Sequence, residues 1–346
     1  MKPLAALLAL LAMAPALARQ DSAAVEVPAF TLPPSDQLSE EAKAVLLRMR
    51  AARAPDLKGD LTKQRAFYQR YNDDRLAEMR RHFRTSEERV SLGGVTVDIV
   101  TPGAAIQPRN KDRVLINVHG GAFMWGSGSG ALVEAIPIAA TAGIRVVTVD
   151  YRLAPEHRYP AASEDVTAVY RALLKQYRPE NIGIYGCSAG GVITAQSVAW
   201  IRRQGLPRPG AIGTFCGTAA GFSGDSAYLA GPIAEGTAPP TGPLPPLIPM
   251  PYMAGAAGDD AAAYPLLSEA ETRLFPPTLL LAGSRDFAAS ALTLAHRRLA
   301  RAGVRSELFL FDGLPHAFFV WPDMPESMEA YHVIARFFDQ HLGKRR

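Results

Sequence analysis

The chain is 346 residues long, 48% of them apolar, with a formal net charge of +4. That length and apolar share provide for a large core in one or two domains, and basic residues interspersed with acidic ones argue against a nucleic-acid-binding face. The two cysteines are too few for a disulfide framework, and no Cys/His spacing typical of a metal site is present.

Residues 1–18 have the pattern of a cleavable signal peptide. Lys2 supplies the charged start, residues 4–14 form an apolar centre, and Ala16-Leu17-Ala18 is a small-x-small cleavage site before Arg19. The apolar centre is shorter than the ~20 residues that span a bilayer as a helix. The sequence therefore predicts a periplasmic or secreted protein with no stable membrane anchor, and a retained anchor is the alternative.

Two amphipathic stretches follow a proline-rich lead and predict helices over residues 36–52 and 60–83. The second carries an apolar and aromatic stripe, made of Phe67, Tyr71, Met79 and Phe83. Core packing would explain this stripe, and its position before the sheet also suits a lid. We interpret residues 19–85 as an N-terminal helical cap segment.

The rest of the chain, residues 86–346, predicts an α/β domain. Period-two runs at 89–92 and 95–101 flank Gly93-Gly94, a signal for an antiparallel hairpin. Continuous apolar runs then alternate with helical stretches, as in a parallel sheet with helices on both faces. The predicted strands are residues 114–118, 145–149, 181–185, 211–215, 278–282 and 307–311. A Gly/Pro-rich stretch at about 217–262 predicts an inserted cap segment.

The pentapeptide Gly186-Cys187-Ser188-Ala189-Gly190 lies between a predicted strand and a helical stretch. This is the context of a nucleophile elbow, in which a strained turn projects the serine hydroxyl above the sheet. Glycines two residues either side leave room for the neighbouring strand and helix. Ser188 is therefore the candidate nucleophile, and a purely structural turn is the alternative.

A serine hydroxyl needs a general base and a group that orients it. His316 follows the last predicted strand and is the candidate base, whereas His119 is expected to fix its own glycine-rich loop. Asp286 is the candidate acid, because it completes the order Ser, Asp, His that this kind of fold uses. Asp312 and Asp323, nearer to His316 in sequence, are the alternatives.

Attack on a carbonyl creates an oxyanion that needs preorganised N–H donors, each worth ~3 kcal/mol of barrier. The amide of Ala189 is one candidate, and Gly121 and Ala122 supply the others, with Gly120 shaping the turn. Apolar residues beside these motifs are expected to wall a substrate pocket. They are Phe123, Met124, Trp125, Phe318 and Phe319, of which Phe319 could equally belong to the core.

Several strings in the chain extend these motifs. They are His119-Gly120-Gly121, the run Asp-Tyr-Arg-Leu-Ala-Pro-Glu-His at 150–157, Ser-Ala-Gly-Gly at 188–191, Tyr-Pro-Leu-Leu at 264–267 and Pro315-His316. With them, the chain from Arg113 to its end resembles the hormone-sensitive-lipase-like family of α/β-hydrolases, which includes bacterial carboxylesterases. The resemblance implies an α/β-hydrolase fold with a helical cap, a serine-esterase mechanism and no cofactor. It also suggests that Arg152 and Glu156 form an ion pair that braces the oxyanion loop.

The chain departs from the family pattern at three places. Ala122 replaces the third glycine of the oxyanion motif, and its methyl group is expected to narrow the pocket. Cys187 replaces the acidic or hydroxyl residue usual before the serine, so a local hydrogen bond is expected to be lost. Phe287-Ala288 stands where Pro-Leu usually follows the acid.

Together these features predict a serine hydrolase of short- to medium-chain acyl esters that works through an acyl-enzyme. Lactone or formamide hydrolysis by the same triad is the alternative. A non-catalytic receptor is disfavoured because all three triad residues are present. The expected partner is a small ester, with no nucleic acid, cofactor or metal, and an oligomer is compatible with the sequence.

The two cysteines end neighbouring predicted strands. Adjacent strands lie ~4.8 Å apart, which is within the ~4.4–6.8 Å that a disulfide accepts between Cα atoms. In an oxidising compartment a Cys187–Cys216 bond could form. The alternative is two buried thiols that pack as small apolar groups.

Overall fold

The computed structural model describes residues 29–222 and 224–343. The chain divides into two compact units, residues 1–33 and 34–346, and residues 29–33 of the first have no helix or strand. The predicted signal peptide lies outside the described residues. In the part of the chain that the structure covers, no helix is both long and apolar enough to cross a membrane.

The second unit is built on one eight-stranded sheet in the order β1-β2-β4-β3-β5-β6-β7-β8. Its strands are β1 Thr85–Leu92, β2 Val95–Pro102, β3 Val114–Val118, β4 Arg145–Val149, β5 Ile182–Cys187, β6 Ala211–Phe215, β7 Thr278–Gly283 and β8 Ser306–Phe311. The pairs β1–β2 and β2–β4 are antiparallel, and all later pairs are parallel. The predicted fold class, including the N-terminal hairpin, is confirmed.

Helices cover both faces of the sheet. They are α1 Glu40–Ala51, α2 Leu61–His82, α3 Ser129–Ala142, α4 Ala161–Leu173, α5 Ala189–Arg203, α6 Gly231–Ala234, α7 Glu269–Thr272, α8 Ala289–Arg301 and α9 Pro325–His341. Successive side chains of a strand point to opposite faces, and β3 shows this. Ile116 packs into the core beneath α4, α5 and α8, whereas its neighbour Leu115 packs into the core beneath α1, α3 and α9.

The two N-terminal helices begin at polar caps. Ser39 accepts the N–H of Ala42 at the start of α1, and Asp60 accepts that of Lys63 at the start of α2. Such caps satisfy otherwise unpaired N–H groups of the first turn. The cap at Ser39 places the start of α1 four residues later than the predicted residue 36.

The segment between β6 and β7 is irregular, as predicted. It contains a π-helical turn at Ser226–Ala230, the single turn α6 and a 3-10 turn at Pro251–Met253. Arg53, just after α1, donates hydrogen bonds to the backbone carbonyls of Ala234 and Glu235 in this segment. The two parts of the chain that the sequence assigned to a cap are therefore in contact.

Candidate active site

Ser188 stands at the sharp turn between β5 and α5. Its φ of 58° lies in the left-handed region, which costs a non-glycine residue ~1–3 kcal/mol. A Cβ atom at Gly186 would lie 2.2 Å from the carbonyl oxygen of Val118, and one at Gly190 would lie 1.8 Å from the same oxygen. The two glycines are therefore needed for close packing, and the turn has the geometry that the pentapeptide predicted.

The structure brings Ser188, His316 and Asp286 together. Nε2 of His316 lies 2.9 Å from Oγ of Ser188, and Nδ1 lies 2.9 Å from Oδ1 of Asp286. Asp286 is fully buried, and its Oδ1 also accepts the N–H of Ala288 at 2.8 Å. A proton on Nδ1, donated to Asp286, leaves Nε2 to accept the proton of the serine hydroxyl.

Two opposing effects set the proton affinity of His316. Burial favours the neutral ring, whereas the negative charge of Asp286 and its hydrogen bond favour the cation. The charges of Glu235 and Glu134 also favour the cation, and together these effects outweigh burial, so the pKa of His316 lies above its usual value of 6.5. Because a general base must be neutral, activity of this site is expected to fall as the pH drops through that raised pKa.

The two alternative acids lie elsewhere. Asp312 accepts hydrogen bonds from the hydroxyls of Ser35 and Ser284 at 2.5 and 3.1 Å. Asp323 forms an ion pair with Arg48 at 2.7 Å, and its Oδ1 lies 2.7 Å from Nε2 of His82. Neither carboxylate is a partner of His316.

The oxyanion loop follows β3 and has an unusual backbone. Gly121, Ala122 and Phe123 all have positive φ, at 114°, 52° and 64°. Among the described residues, no acceptor receives the N–H of Gly121, Ala122 or Ala189, so these three donors can serve an oxyanion. The N–H of Gly120 instead donates to Oε1 of Glu134 at 2.7 Å, so Gly120 shapes the loop and is not an available donor.

His119 is buried beneath this loop. Its Nδ1 lies 2.7 Å from the carbonyl oxygen of Gly120, and its ring stacks on Tyr151 with centroids 4.2 Å apart. The Tyr151 hydroxyl donates to the backbone carbonyl of His119 at 2.9 Å. These contacts support the loop-fixing role expected from the sequence.

The predicted ion pair between Arg152 and Glu156 is wrong. Arg152 lies beside the start of α4, where it pairs with Asp165 at 3.0 Å and Glu164 at 2.8 Å. Glu156 faces α2 and pairs with Arg65 at 2.7 Å. The sequence string gave no information about which neighbouring helix each side chain would meet.

Arg65 braces the oxyanion loop from α2. It donates to the carbonyl oxygen of Met124 at 2.8 Å and to that of Ala154 at 3.0 Å. One turn along the helix, Tyr68 stacks on Trp125 with centroids 4.4 Å apart and an interplanar angle of 7°. Helix α2 therefore holds Met124 and Trp125, which lie two and three residues after Ala122.

The predicted pocket residues fall into two groups. Phe318 was predicted to wall the pocket, but it is fully buried and packs against Phe311 and Phe319, so it belongs to the core. Phe123 is also buried, stacked on Tyr252 with centroids 4.7 Å apart. The half-buried candidates are Met124 and Trp125.

Sequence reasoning missed Phe287, whose ring stacks on His316 with centroids 4.5 Å apart. Phe287 directly follows Asp286, where the family pattern has proline, and the sequence gives no indication that its ring contacts the base. Phe287 also lies near Phe222 from the inserted segment, with centroids 5.9 Å apart. An aromatic wall therefore stands beside the base.

Two groups of described residues bring three potential metal ligands together: Cys216 with Asp286 and His316, and Glu78 with His82 and Asp323. In the first group, Asp286 and His316 are already hydrogen-bonded to each other. In the second, Arg48 already pairs with the Asp323 carboxylate. We assign no metal to either group.

Both cysteines are buried free thiols. Cys187 at the end of β5 is paired in register with Phe215 at the end of β6, so Cys216 lies one position beyond the partner of Cys187. Burial raises the pKa of both thiols, which keeps them protonated and unreactive near neutral pH.

We therefore expect no alkylation of the native protein by iodoacetamide near neutral pH, and two alkylated cysteines after unfolding without reductant. Mass spectrometry of the intact protein measures both states. Absence of alkylation after unfolding would instead indicate the disulfide.

Comparison with known proteins agrees with this geometry. A family model described as "alpha/beta hydrolase fold" matches residues 115–320, and one described as "Carboxylesterase family" matches residues 73–155. The acetyl-hydrolase of Streptomyces hygroscopicus is 29% identical over 278 residues, which is 75% of this chain and 88% of that protein. The putative acetyl-hydrolase LipR of Mycobacterium tuberculosis is 38% identical over 133 residues, 38% of this chain and only 42% of that protein.

Solved structures match over most of the chain. The crystal structure of esterase E25 is 30% identical with a TM-score of 0.79, covering 92% of this chain and 99% of that one. An esterase from the bacterial hormone-sensitive lipase family is 26% identical with a TM-score of 0.73, covering 88% and 99%. The family resemblance expected from the motifs is thus confirmed. The chain belongs to the α/β-hydrolase family and is similar to its hormone-sensitive-lipase-like members.

Proposed function

We propose that this protein is a serine hydrolase of carboxylic esters with short to medium acyl chains. The observation that carries the proposal is the imidazole of His316, which contacts Ser188 through one ring nitrogen and Asp286 through the other, each at 2.9 Å. Similarity to proteins named acetyl-hydrolase and esterase supports it.

The geometry supports a two-step reaction. Oγ of Ser188 attacks the ester carbonyl while Nε2 of His316 accepts its proton, and the Asp286 carboxylate stabilises the imidazolium. When the tetrahedral intermediate collapses, the C–O bond to the alcohol breaks and His316 returns the proton to the leaving oxygen. A water molecule, deprotonated by His316, then attacks the acyl-enzyme, and the carboxylic acid leaves as Ser188 regains its proton.

The negative oxygen of each intermediate is stabilised by the N–H groups of Gly121, Ala122 and Ala189. Loss of one such donor typically costs ~3 kcal/mol. Because Ala122 keeps its N–H, the substitution of the third glycine leaves the donor in place. Its methyl group reduces the space beside the reacting carbonyl, which favours small acyl or alcohol groups.

A panel of p-nitrophenyl esters with acetyl, butyryl, octanoyl and palmitoyl groups tests the acyl preference. We expect the highest kcat/KM for acetyl and butyryl esters and the lowest for palmitoyl. Stacking against Tyr68 and His316 holds the Trp125 and Phe287 rings in place, so these rings cannot move aside for a long acyl chain. Faster turnover of a lactone or an N-formyl amide in parallel assays would contradict the ester assignment.

We also propose that the protein is exported to the periplasm or secreted. The support is the charged start at Lys2, the short apolar centre and the Ala16-Leu17-Ala18 cleavage pattern. Cleavage there makes Arg19 the first residue of the mature chain.

A further inference from the structure

Glu134 is a buried carboxylate that the sequence analysis did not single out. It lies on α3 and exposes 9% of its surface. Its partners are neutral donors: Oε1 accepts the N–H of Gly120 at 2.7 Å, and Oε2 accepts from Nδ2 of Asn117 at 3.3 Å. The backbone N–H of Cys187 also lowers the pKa of this carboxylate. Burying a charged group is costly unless it is hydrogen-bonded, so this arrangement calls for an explanation.

The Gly120 donor belongs to the loop that carries the oxyanion donors, and this loop lies beside the turn at Ser188. Gly120 directly precedes the oxyanion donors Gly121 and Ala122, and Cys187 directly precedes Ser188. A Cβ atom built on Gly120 would lie 3.2 Å from Oε1 of Glu134 and 3.4 Å from Cβ of Ser188. The Glu134 carboxylate therefore holds a residue of the oxyanion loop that packs directly against the nucleophile.

We propose that Glu134 is a positioning residue, which fixes the distance between the Ser188 hydroxyl and the oxyanion donors by holding the oxyanion loop at Gly120, where this loop packs against Ser188. This inference rests on the proposed hydrolase function, because the spacing matters only for a reaction between these groups. An error of ~1 Å in such a spacing can cost ~10²-fold in rate.

The charge of Glu134 also acts on the base. Burial raises the pKa of Glu134 to about 7, although the N–H of Gly120 and the amide of Asn117 partly oppose this. The negative charge of Glu134 in turn raises the pKa of His316.

The other titratable groups that sense Glu134 are Tyr151, Tyr185 and Cys187. Burial raises the pKa of all three, so they stay neutral near pH 7. Of the described groups that sense Glu134, His316 is thus the one whose protonation state matters for the reaction.

The test compares Glu134→Gln with Glu271→Gln. Glu271 lies on α7 and is equally buried, with 9% of its surface exposed. It pairs with Arg202 near the end of α5, away from the oxyanion loop and from the turn at Ser188. In Glu134→Gln one acceptor oxygen becomes an NH2 donor, so the side chain can no longer accept from both Gly120 and Asn117. We expect a fall in kcat of up to ~10²-fold with little change in KM, because the positions of the oxyanion donors matter in the transition state. The acid limb of the pH–kcat/KM profile should move only slightly, to lower pH, because Asp286 and Glu235 raise the pKa of His316 more than Glu134 does. Glu271→Gln should show neither change.

The outcomes separate this inference from the proposed function. If the wild-type protein hydrolyses esters and Glu134→Gln keeps its kcat and its pH profile, the positioning role is refuted while the hydrolase assignment stands. If the wild-type protein hydrolyses no ester, both proposals fall.

If Glu134→Gln does not fold, as judged by circular dichroism and Tm, Glu134→Asp replaces it. Aspartate keeps the charge but withdraws the carboxylate by one methylene group, so kcat should still fall while the acid limb stays in place. An unchanged kcat in a folded Glu134→Asp protein would refute the positioning role.

Discussion

Replacing Ser188 with alanine is expected to abolish ester hydrolysis while leaving the fold and substrate binding largely intact. The variant has no Oγ to attack the carbonyl, so no acyl-enzyme can form. What remains is the acceleration that an oxyanion hole and binding alone provide, ~10³–10⁴-fold over water. Alanine and serine adopt a φ of 58° with similar strain, so the turn and the stability should change little.

The measurement is kcat/KM on p-nitrophenyl acetate, with Tm recorded on the same samples. Ser197→Ala is a matched control, since Ser197 is a fully buried serine on α5 whose hydroxyl has no partner among the described residues. It should keep wild-type turnover. Near-native turnover by Ser188→Ala would rule out the serine-esterase mechanism.

The strands and the elbow could be predicted because their sequence signals are local. A buried parallel strand needs a continuous apolar run, and β3 and β4 are found at the predicted residues. The elbow needs glycines at 186 and 190 because the Val118 carbonyl leaves no space for a Cβ atom. The two glycines that define the pentapeptide motif are thus the same two that the close approach of the Val118 carbonyl requires.

Contacts that depend on how helices dock could not be predicted. Arg152 and Glu156 are close in sequence, but the partners they meet come from α4 and α2. Phe318 follows a strand near the base, yet the turn after His316 sends its side chain into the core. In both cases the direction of a side chain was decided by neighbours distant in sequence.

The sequence does contain an indication that Glu134 is important. It is the charged residue of an otherwise apolar or small-residue helix, α3, which is buried along most of its length. A lone carboxylate in such a helix must find hydrogen-bond donors. Glu134 finds these donors in the N–H of Gly120 and the amide of Asn117.

Replacing Asp286 with asparagine is expected to lower kcat/KM by ~10⁴-fold, the cost of the equivalent change in a serine protease triad. Asparagine has the same shape, but its amide can donate a hydrogen bond toward Nδ1 of His316. That favours the tautomer with the proton on Nε2, which cannot accept the proton of Ser188. Asp286 is fully buried, so bulk solvent cannot take over its role.

The pH dependence of the residual activity gives a second readout. The negative charge of Asp286 raises the pKa of His316, so its removal should lower that pKa. His316 then stays neutral to lower pH, and the acid limb of the kcat/KM profile should shift in the same direction. A purely structural role of Asp286 would lower activity without moving this limb.

Asp312→Asn is the matched control, because Asp312 follows β8 and was the alternative acid. Its carboxylate accepts hydrogen bonds from Ser35 and Ser284, which keep its pKa below the usual value. The substitution should therefore cost at most ~1 kcal/mol of stability and leave kcat/KM near that of the wild type. A larger loss of activity in Asp312→Asn than in Asp286→Asn would move the triad acid to Asp312, against the 2.9 Å contact between Asp286 and His316.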